Sequence, residues 1–288
     1  TTATLNPRSS ETSPFELVYE YFDYDKFNYG NLNGASVSGS GWTNAWSTGS
    51  GLVEHSPNDM ADFGAYPADS GLQGDGTTGS GFMDMSNSAL GTRTAQRNFD
   101  GATAGKLYIS VKVFNGHYMG ASDFVGIDIL NGNVTTAFFG KASGVADRKL
   151  SIDYNSNVST NRLDGTNPSG YEIGNTAGYL LVAEYDFDAQ TLKVKSYVEN
   201  QIAHANPDLE GAWDVEMENV VIDRIDGIKF VASDNDQIVN FDSIRIGPSW
   251  ERVVWNLPDN HHEDYGPVAT LAWMVRSRPP LAEPPAES

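Results

Sequence analysis

The period of the apolar residues constrains this chain more than any other feature. The runs KLYISVKVF (106–114) and TLKVKSYVE (191–199) carry the repeat of two that a half-buried strand requires, and QIVNFDSIRIG (237–247) is a third strand candidate. FELVYEYF (15–22), DFVGIDIL (123–130), TTAFFG (135–140), RKLSIDY (148–154), YLLVAEYDF (179–187) and GIKFVAS (227–233) are further strand candidates, separated by Gly, Asn, Asp and Ser. In EYDFDAQTLKVKSY the DAQ triplet reads as the turn of a hairpin. No long amphipathic helix is visible. The expected class is all-β, a two-sheet antiparallel jelly-roll β-sandwich. The chain's 288 residues suffice for one large domain, which at this size buries roughly three quarters of its unfolded surface. Cys is absent, so neither a disulfide framework nor a thiolate metal site is available.

The two ends depart from this pattern. Residues 1–14 are Ser/Thr-rich and lack an apolar period, and residues 256–288 contain six prolines, so both read as extended arms flanking a sandwich over 15–255. Within the C-terminal arm, TLAWMV is an apolar run between Pro-rich segments. Leu271, Trp273, Met274 and Val275 are its expected anchors on a partner chain or on the sandwich itself. The stretch 34–105 reads as a long glycine-rich loop in which a binding surface could be built.

With 38 acidic against 18 basic residues, the formal charge is −20, which repels polyanions; neither DNA nor RNA is expected as a partner. No run approaches ~18 consecutive apolar residues, so no transmembrane segment is expected. The first residue is Thr1 rather than Met, which reads most simply as removal of an export signal. The expected location is exported, in a periplasm or outside the cell at its surface.

Four segments in order, YEYFDYDKFNYGNLNG (19–34), GWTNAWSTGSG (41–51), GKLYISVKVF (105–114) and NFDSIRIGPSWERVV (240–254), resemble the concanavalin A-like lectin/glucanase superfamily. The resemblance is to its LamG-like branch, as in exported bacterial β-sandwich domains. It spans roughly 19–254 and implies a two-sheet jelly roll. Function does not follow, because the fold hosts lectins, adhesion modules, hydrolases and lyases.

The superfamily's glucanases carry Glu, Asp and Glu at alternate positions of one strand. In AWDVEMENVV the corresponding order is Asp214, Glu216, Glu218. Alternation alone makes this a solvated strand face; a glycoside hydrolase or polysaccharide lyase is the minority reading. A structural Ca²⁺ is the cofactor considered. Similar jelly-roll modules share such an ion between their first and last strands, which implies Asp23 with Asp242, and Asp25 and Asp236 are further oxygen donors. Trp42, Trp46, Tyr66 and Trp213 lie in loop-like stretches, where aromatic rings stack on sugars or anchor protein interfaces. Trp42 and Trp46 could equally plug the end of the core. Three functions follow: a non-catalytic structural or accessory subunit that docks to other protein subunits, a lectin-like module that binds a polysaccharide, and a hydrolase or lyase.

Overall fold

In the computed structural model, residues 18–20, 30–35, 39–49, 53–56, 82–85, 92–115, 119–144, 149–155, 161–165, 177–198, 213–233 and 239–254 are described. The chain divides into Thr1–Asn256 and Leu257–Ser288, and every described residue belongs to the first unit. Its strands are β1 (Val18–Glu20), β2 (Gly30–Asn31), β3 (Ser47–Thr48), β4 (Glu54–Ser56), β5 (Phe82–Asp84), β6 (Arg93–Ala102), β7 (Lys106–Asn115) and β8 (Val125–Asn131). There follow β9 (Val134–Lys141), β10 (Leu150–Tyr154), β11 (Arg162–Asp164), β12 (Ala177–Asp186), β13 (Thr191–Val198), β14 (Val215–Met217), β15 (Ile225–Ala232) and β16 (Val239–Gly247), then the short helix α1 (Trp250–Val254). Among the described residues no helix is long and apolar enough to cross a membrane.

Two antiparallel sheets result, as the alternation predicts. The first runs β14-β13-β12-β7-β16-β5-β4-β2, with β1 also paired to β16; the second runs β11-β10-β9-β8-β15-β6-β3. The expected hairpin forms from β12 and β13, with Tyr179 opposite Val198 and Asp186 opposite Thr191. Alternate residues of both sheets enter one core: Ile109 and Val111 from β7 and Leu181 and Ala183 from β12 meet Ile127 and Ile129 from β8 and Ile228 and Phe230 from β15. The rings of Phe230 and Phe241 touch across the sheets, 4.7 Å between centroids. This is the β-sandwich expected from the sequence.

One register shift is needed to fill that core. In β16 the pairing to β7 slips between Asp242 and Arg245, and Ser243 takes a positive φ of 50°. The bulge changes the phase of the strand, so Phe241 before it and Ile244 and Ile246 after it all reach the core. At the same point the strand on β16's other edge changes from β5 to β1.

The stretch 34–105 is not one long loop. It supplies β3 to β6, and β6 is a ten-residue strand next to the sheet's edge with Arg93, Ala95, Arg97 and Phe99 on its inward side. Arginine at two inward positions removes the apolar alternation by which a strand is recognised.

Arg97 is 2% exposed because it has a partner in the core. Its Nη1 donates to Oε2 of Glu20 at 2.5 Å, and Glu20, on β1 of the opposite sheet, has no exposed surface. Arg97 Nε donates to the Asn44 carbonyl at 2.8 Å, and Trp46 Nε1 donates to the same Glu20 oxygen at 3.3 Å. The guanidinium stands 5.1 Å from the Trp42 ring and 5.7 Å from that of Trp46. Trp42 Nε1 donates to the Tyr19 carbonyl, closing the loop onto β1. Gly39, at φ 81°, lies so close that a Cβ there would meet the Tyr19 oxygen at 2.1 Å.

A second buried polar contact lies at the other end. Tyr185 on β12 donates its hydroxyl to the Val220 carbonyl at 2.7 Å and accepts from the Ile222 N–H at 2.9 Å. Burial is the main cause that pushes its pKa up, and the hydrogen bond with Ile222 opposes the shift.

Two outcomes are expected. Removing one member of the core ion pair, as in Arg97→Leu, should lower unfolding free energy in urea by roughly 3–5 kcal/mol, and Glu20→Leu added to it should restore most of the loss. Equal losses in single and double variants would show that the loss comes from Arg97's other contacts and not from a stranded Glu20. For Tyr185, the folded state holds its proton more tightly than the unfolded chain, where tyrosine ionises near pH ~10. Its contribution is therefore complete below that pH and lost as pH rises through and above it. Tyr185→Phe should flatten this part of the alkaline loss, measured by denaturation from about pH 8 to about pH 11.

Candidate functional site

Each sheet ends in a short edge strand on the same side of the sandwich, β11 in one and β14 in the other. Asp214 anchors the approach to β14. Its Oδ2 accepts the Ser196 N–H at 2.8 Å and the Ser196 hydroxyl at 2.7 Å, while Oδ1 accepts Lys195 Nζ at 2.9 Å. The chain then alternates, with Val215 in the core, Glu216 outward and Met217 against the core. Glu218 is exposed, and Asn219 turns the chain with φ 60°.

Facing this segment, Arg162 of β11 grips Asp153 of β10 with both prongs, Nε to Oδ1 at 2.6 Å and Nη2 to Oδ2 at 2.7 Å. Its Nη1 donates to the Ser143 carbonyl at 2.6 Å. The hydrogen bond to Asp153 is the main cause that raises the arginine pKa, so the cation is permanent. Tyr154 crosses between the sheets: its hydroxyl donates to the Val221 carbonyl at 2.8 Å and accepts the Val221 N–H at 3.1 Å. Between these walls runs a groove of about 680 Å³, lined by Tyr154, Asn161, Arg162, Leu163, Glu216, Met217, Glu218 and Asn219.

On the outer face of the second sheet lies a smaller trough of about 400 Å³. Phe124, Phe138, Ala142 and Val231 form its apolar floor. Its polar wall includes Lys229, whose Nζ lies 2.6 Å from Asp128 Oδ2 and donates to Thr135 Oγ1 at 2.9 Å. Arg162 and Asp153 line this trough too, and Arg162 lines both depressions.

The carboxylates of AWDVEMENVV do not form one row. β14 covers only Val215–Met217, and Asp214 is buried before it, with its oxygens committed to Lys195 and Ser196. Glu216, 46% exposed, pairs with Lys193 at 3.5 Å. Glu218 has no ion-pair partner among the described residues. Only Glu216 and Glu218 reach the groove.

The aromatic candidates separate as well. Trp46 is a core residue, 5.9 Å from Phe230, and Trp42 is half-buried against Trp46, Phe99 and Arg97, so these two plug the sandwich and are not surface platforms. Trp213 belongs to a satellite cluster under α1, its ring 6.0 Å from that of Trp250 and 5.9 Å from Lys193 Nζ. Tyr66, Leu271, Trp273, Met274 and Val275 lie outside the described residues, as do both arms.

For calcium, Asp242 is the candidate ligand that is described. It is buried on β16, accepts the Ser243 N–H at 2.5 Å and is paired in register with Lys112. A lysine at the cross-strand position suits an anion there, not a divalent cation. Among the described residues no three His, Asp or Glu gather as a metal site, while Asp23, Asp25 and Asp236 lie outside them.

Sequence reading passed over Arg162, Tyr154 and Leu163. Period two in LSIDY does set Ser151 and Asp153 on one face, but the pairing of Asp153 with Arg162 joins segments on either side of a polar connection.

No protein family profile matches this chain, and no curated protein is similar to it in sequence. Among solved structures it is similar to the globular domain of T. cruzi calreticulin, with a TM-score of 0.44 and 13% identity over 73% of this chain and 86% of that one. The seed lectin of Lotus tetragonolobus is similar at TM-score 0.40 and 10% identity, over 68% of this chain and 97% of that one. The exoplasmic/lumenal domain of VIP36, in a Ca²⁺/Man3GlcNAc-bound form, is similar at TM-score 0.39 and 9% identity, over 65% and 85%. At these values the sandwich stands on its own strand pairing and not on the likeness.

Replacing Asp214 with Ala should cost about 1–3 kcal/mol, because the buried Ser196 N–H loses its acceptor. A melting temperature equal to that of the unaltered chain would refute the anchoring role.

Proposed function

We propose that this chain is a non-catalytic carbohydrate-binding sandwich module that holds a glycan in the groove between β11 and β14. The observation that carries the reading is the composition of that groove. Sugars present hydroxyls around apolar C–H faces, and recognition needs a few fixed polar groups beside aromatic or aliphatic surface. Arg162 and Tyr154 are held by Asp153 and the Val221 backbone, Glu216 and Glu218 supply carboxylate acceptors, and Leu163 and Met217 supply apolar surface. A net charge of −20 disfavours anionic glycans and nucleic acids at long range.

Binding is favoured over cleavage for a physical reason. A glycosidase needs two carboxyl groups flanking one bond and tuned apart, one as acid and the other as base or nucleophile. Asp214 is committed to Ser196 and Lys195, and Glu216 is paired with Lys193. That leaves Glu218 as the one carboxylate of the groove lining without an ion-pair partner among the described residues. The docking-subunit reading rests on the terminal arms, outside the described residues, and no described feature favours it.

Electrophoresis through gels carrying laminarin, xylan or galactomannan tests the proposal. Retardation by at least one of them is expected, weakened about tenfold in Glu218→Ala, equivalent to ~1.4 kcal/mol. No reducing ends should be released. Release that disappears in Glu216→Gln would replace binding by hydrolysis.

A further inference from the structure

The outer face of the second sheet carries a row of side chains at right angles to its strands. Strand register aligns Gln96 of β6, Lys229 of β15, Asp128 of β8, Phe138 of β9, Asp153 of β10 and Arg162 of β11 as successive neighbours. From Lys229 to Arg162 there are four interstrand steps, and at ~4.8 Å each the row is roughly 19 Å long. That is longer than any single sugar ring.

Every charge from Lys229 to Arg162 is matched inside the row. Lys229 is tied to Asp128 and Arg162 to Asp153, with one aromatic ring between the pairs. The row thus offers fixed donors and acceptors with no net charge. Phe138 lies flat against the sheet because Gly126 and Gly140 leave room for it; a Cβ on Gly126 would stand 2.6 Å from the ring. The ring, 9% exposed, therefore forms a floor level with the trough. Arg162 is the residue common to the trough and the edge groove, lining both.

The geometry points to a linear, uncharged polysaccharide as the ligand, lying across the strands along this row and on into the edge groove, an assignment that rests on the glycan-binding reading above. A uronate or sulfated polymer meets the repulsion of the whole chain and finds no unpaired cation in the row. A polyamine polymer would be drawn by net charge alone, and salt would abolish that attraction. If the two pairs served stability only, removing one would shift the melting temperature and leave ligand affinity unchanged.

The test uses the full chain. Gels carrying laminarin, xylan or galactomannan are compared with gels carrying alginate or chitosan, at low and high salt. Oligosaccharides of the polymer that retards most, from disaccharide to hexasaccharide, are then titrated. Three proteins are compared: the unaltered chain, Glu218→Ala at the edge, and Asp128→Asn with Lys229→Gln in the row, which removes the pair without leaving a lone charge. Their melting temperatures report folding.

Affinity should rise at least tenfold from disaccharide to hexasaccharide, and salt should not change it. The row variant should lose about tenfold toward the hexasaccharide and almost nothing toward the disaccharide. Affinity that levels off at the disaccharide, with the row variant unaffected, overturns the extended track and leaves the edge groove as the site. Retardation by chitosan alone, abolished by salt, overturns the uncharged class. No retardation by any of the polysaccharides overturns the glycan reading itself, and the track with it.

Discussion

A carboxylate and a guanidinium inside a β-sandwich core would be costly unless each met the other, and the pairing of Glu20 with Arg97 organises one end of this fold. Glu20 comes from β1 in the first sheet and Arg97 from β6 in the second, so the pair fixes one sheet against the other. The remaining hydrogen-bonding capacity is taken up locally, by the Asn44 carbonyl and the Trp46 indole, while two tryptophan rings face the cation. An apolar pair could supply comparable stability. It would not specify which short strand lies beside β16 or which way the Trp42–Trp46 loop folds.

The opposite side of the sandwich is organised by polar contacts of another kind. Asp214, Tyr185 and Tyr154 each bind backbone groups or a neighbouring strand, and together they draw the segment from Asp214 to Ile222 across the gap between the sheets. Their partners are mostly main-chain groups, so the contacts set the path of the chain more than the position of any one side chain. A groove remains where β11 and β14 end, because neither edge strand has a further neighbour among the described strands.

The same economy bears on the proposed preference for binding over catalysis. The acidic residues that by spacing resemble a glucanase row are distributed among different tasks: Asp214 is structural, Glu216 is half-neutralised by Lys193, and Glu218 is open. On the outer sheet face, two ion pairs cancel their charges on either side of Phe138. What is left is an array of oriented polar groups with apolar floor between them, suited to a ligand of many hydroxyls.

The sequence by itself determined the class of fold and most of its long strands. Period two in β7 and β13 and the apolar density of β8, β9, β12 and β15 follow from local pattern, because alternation and apolar runs report which faces of a strand are buried. β6 escaped that reading because Arg93 and Arg97 take inward positions, which are explained only by a partner far away in the chain. Glu20 stands 77 residues from Arg97, and Ser196 stands 18 from Asp214. The groove and the row across β15, β8, β9, β10 and β11 were likewise decided by the tertiary structure. Strand order and register bring Lys229, Asp128, Phe138, Asp153 and Arg162 side by side, and no local spacing encodes an order in which β15 lies between β6 and β8.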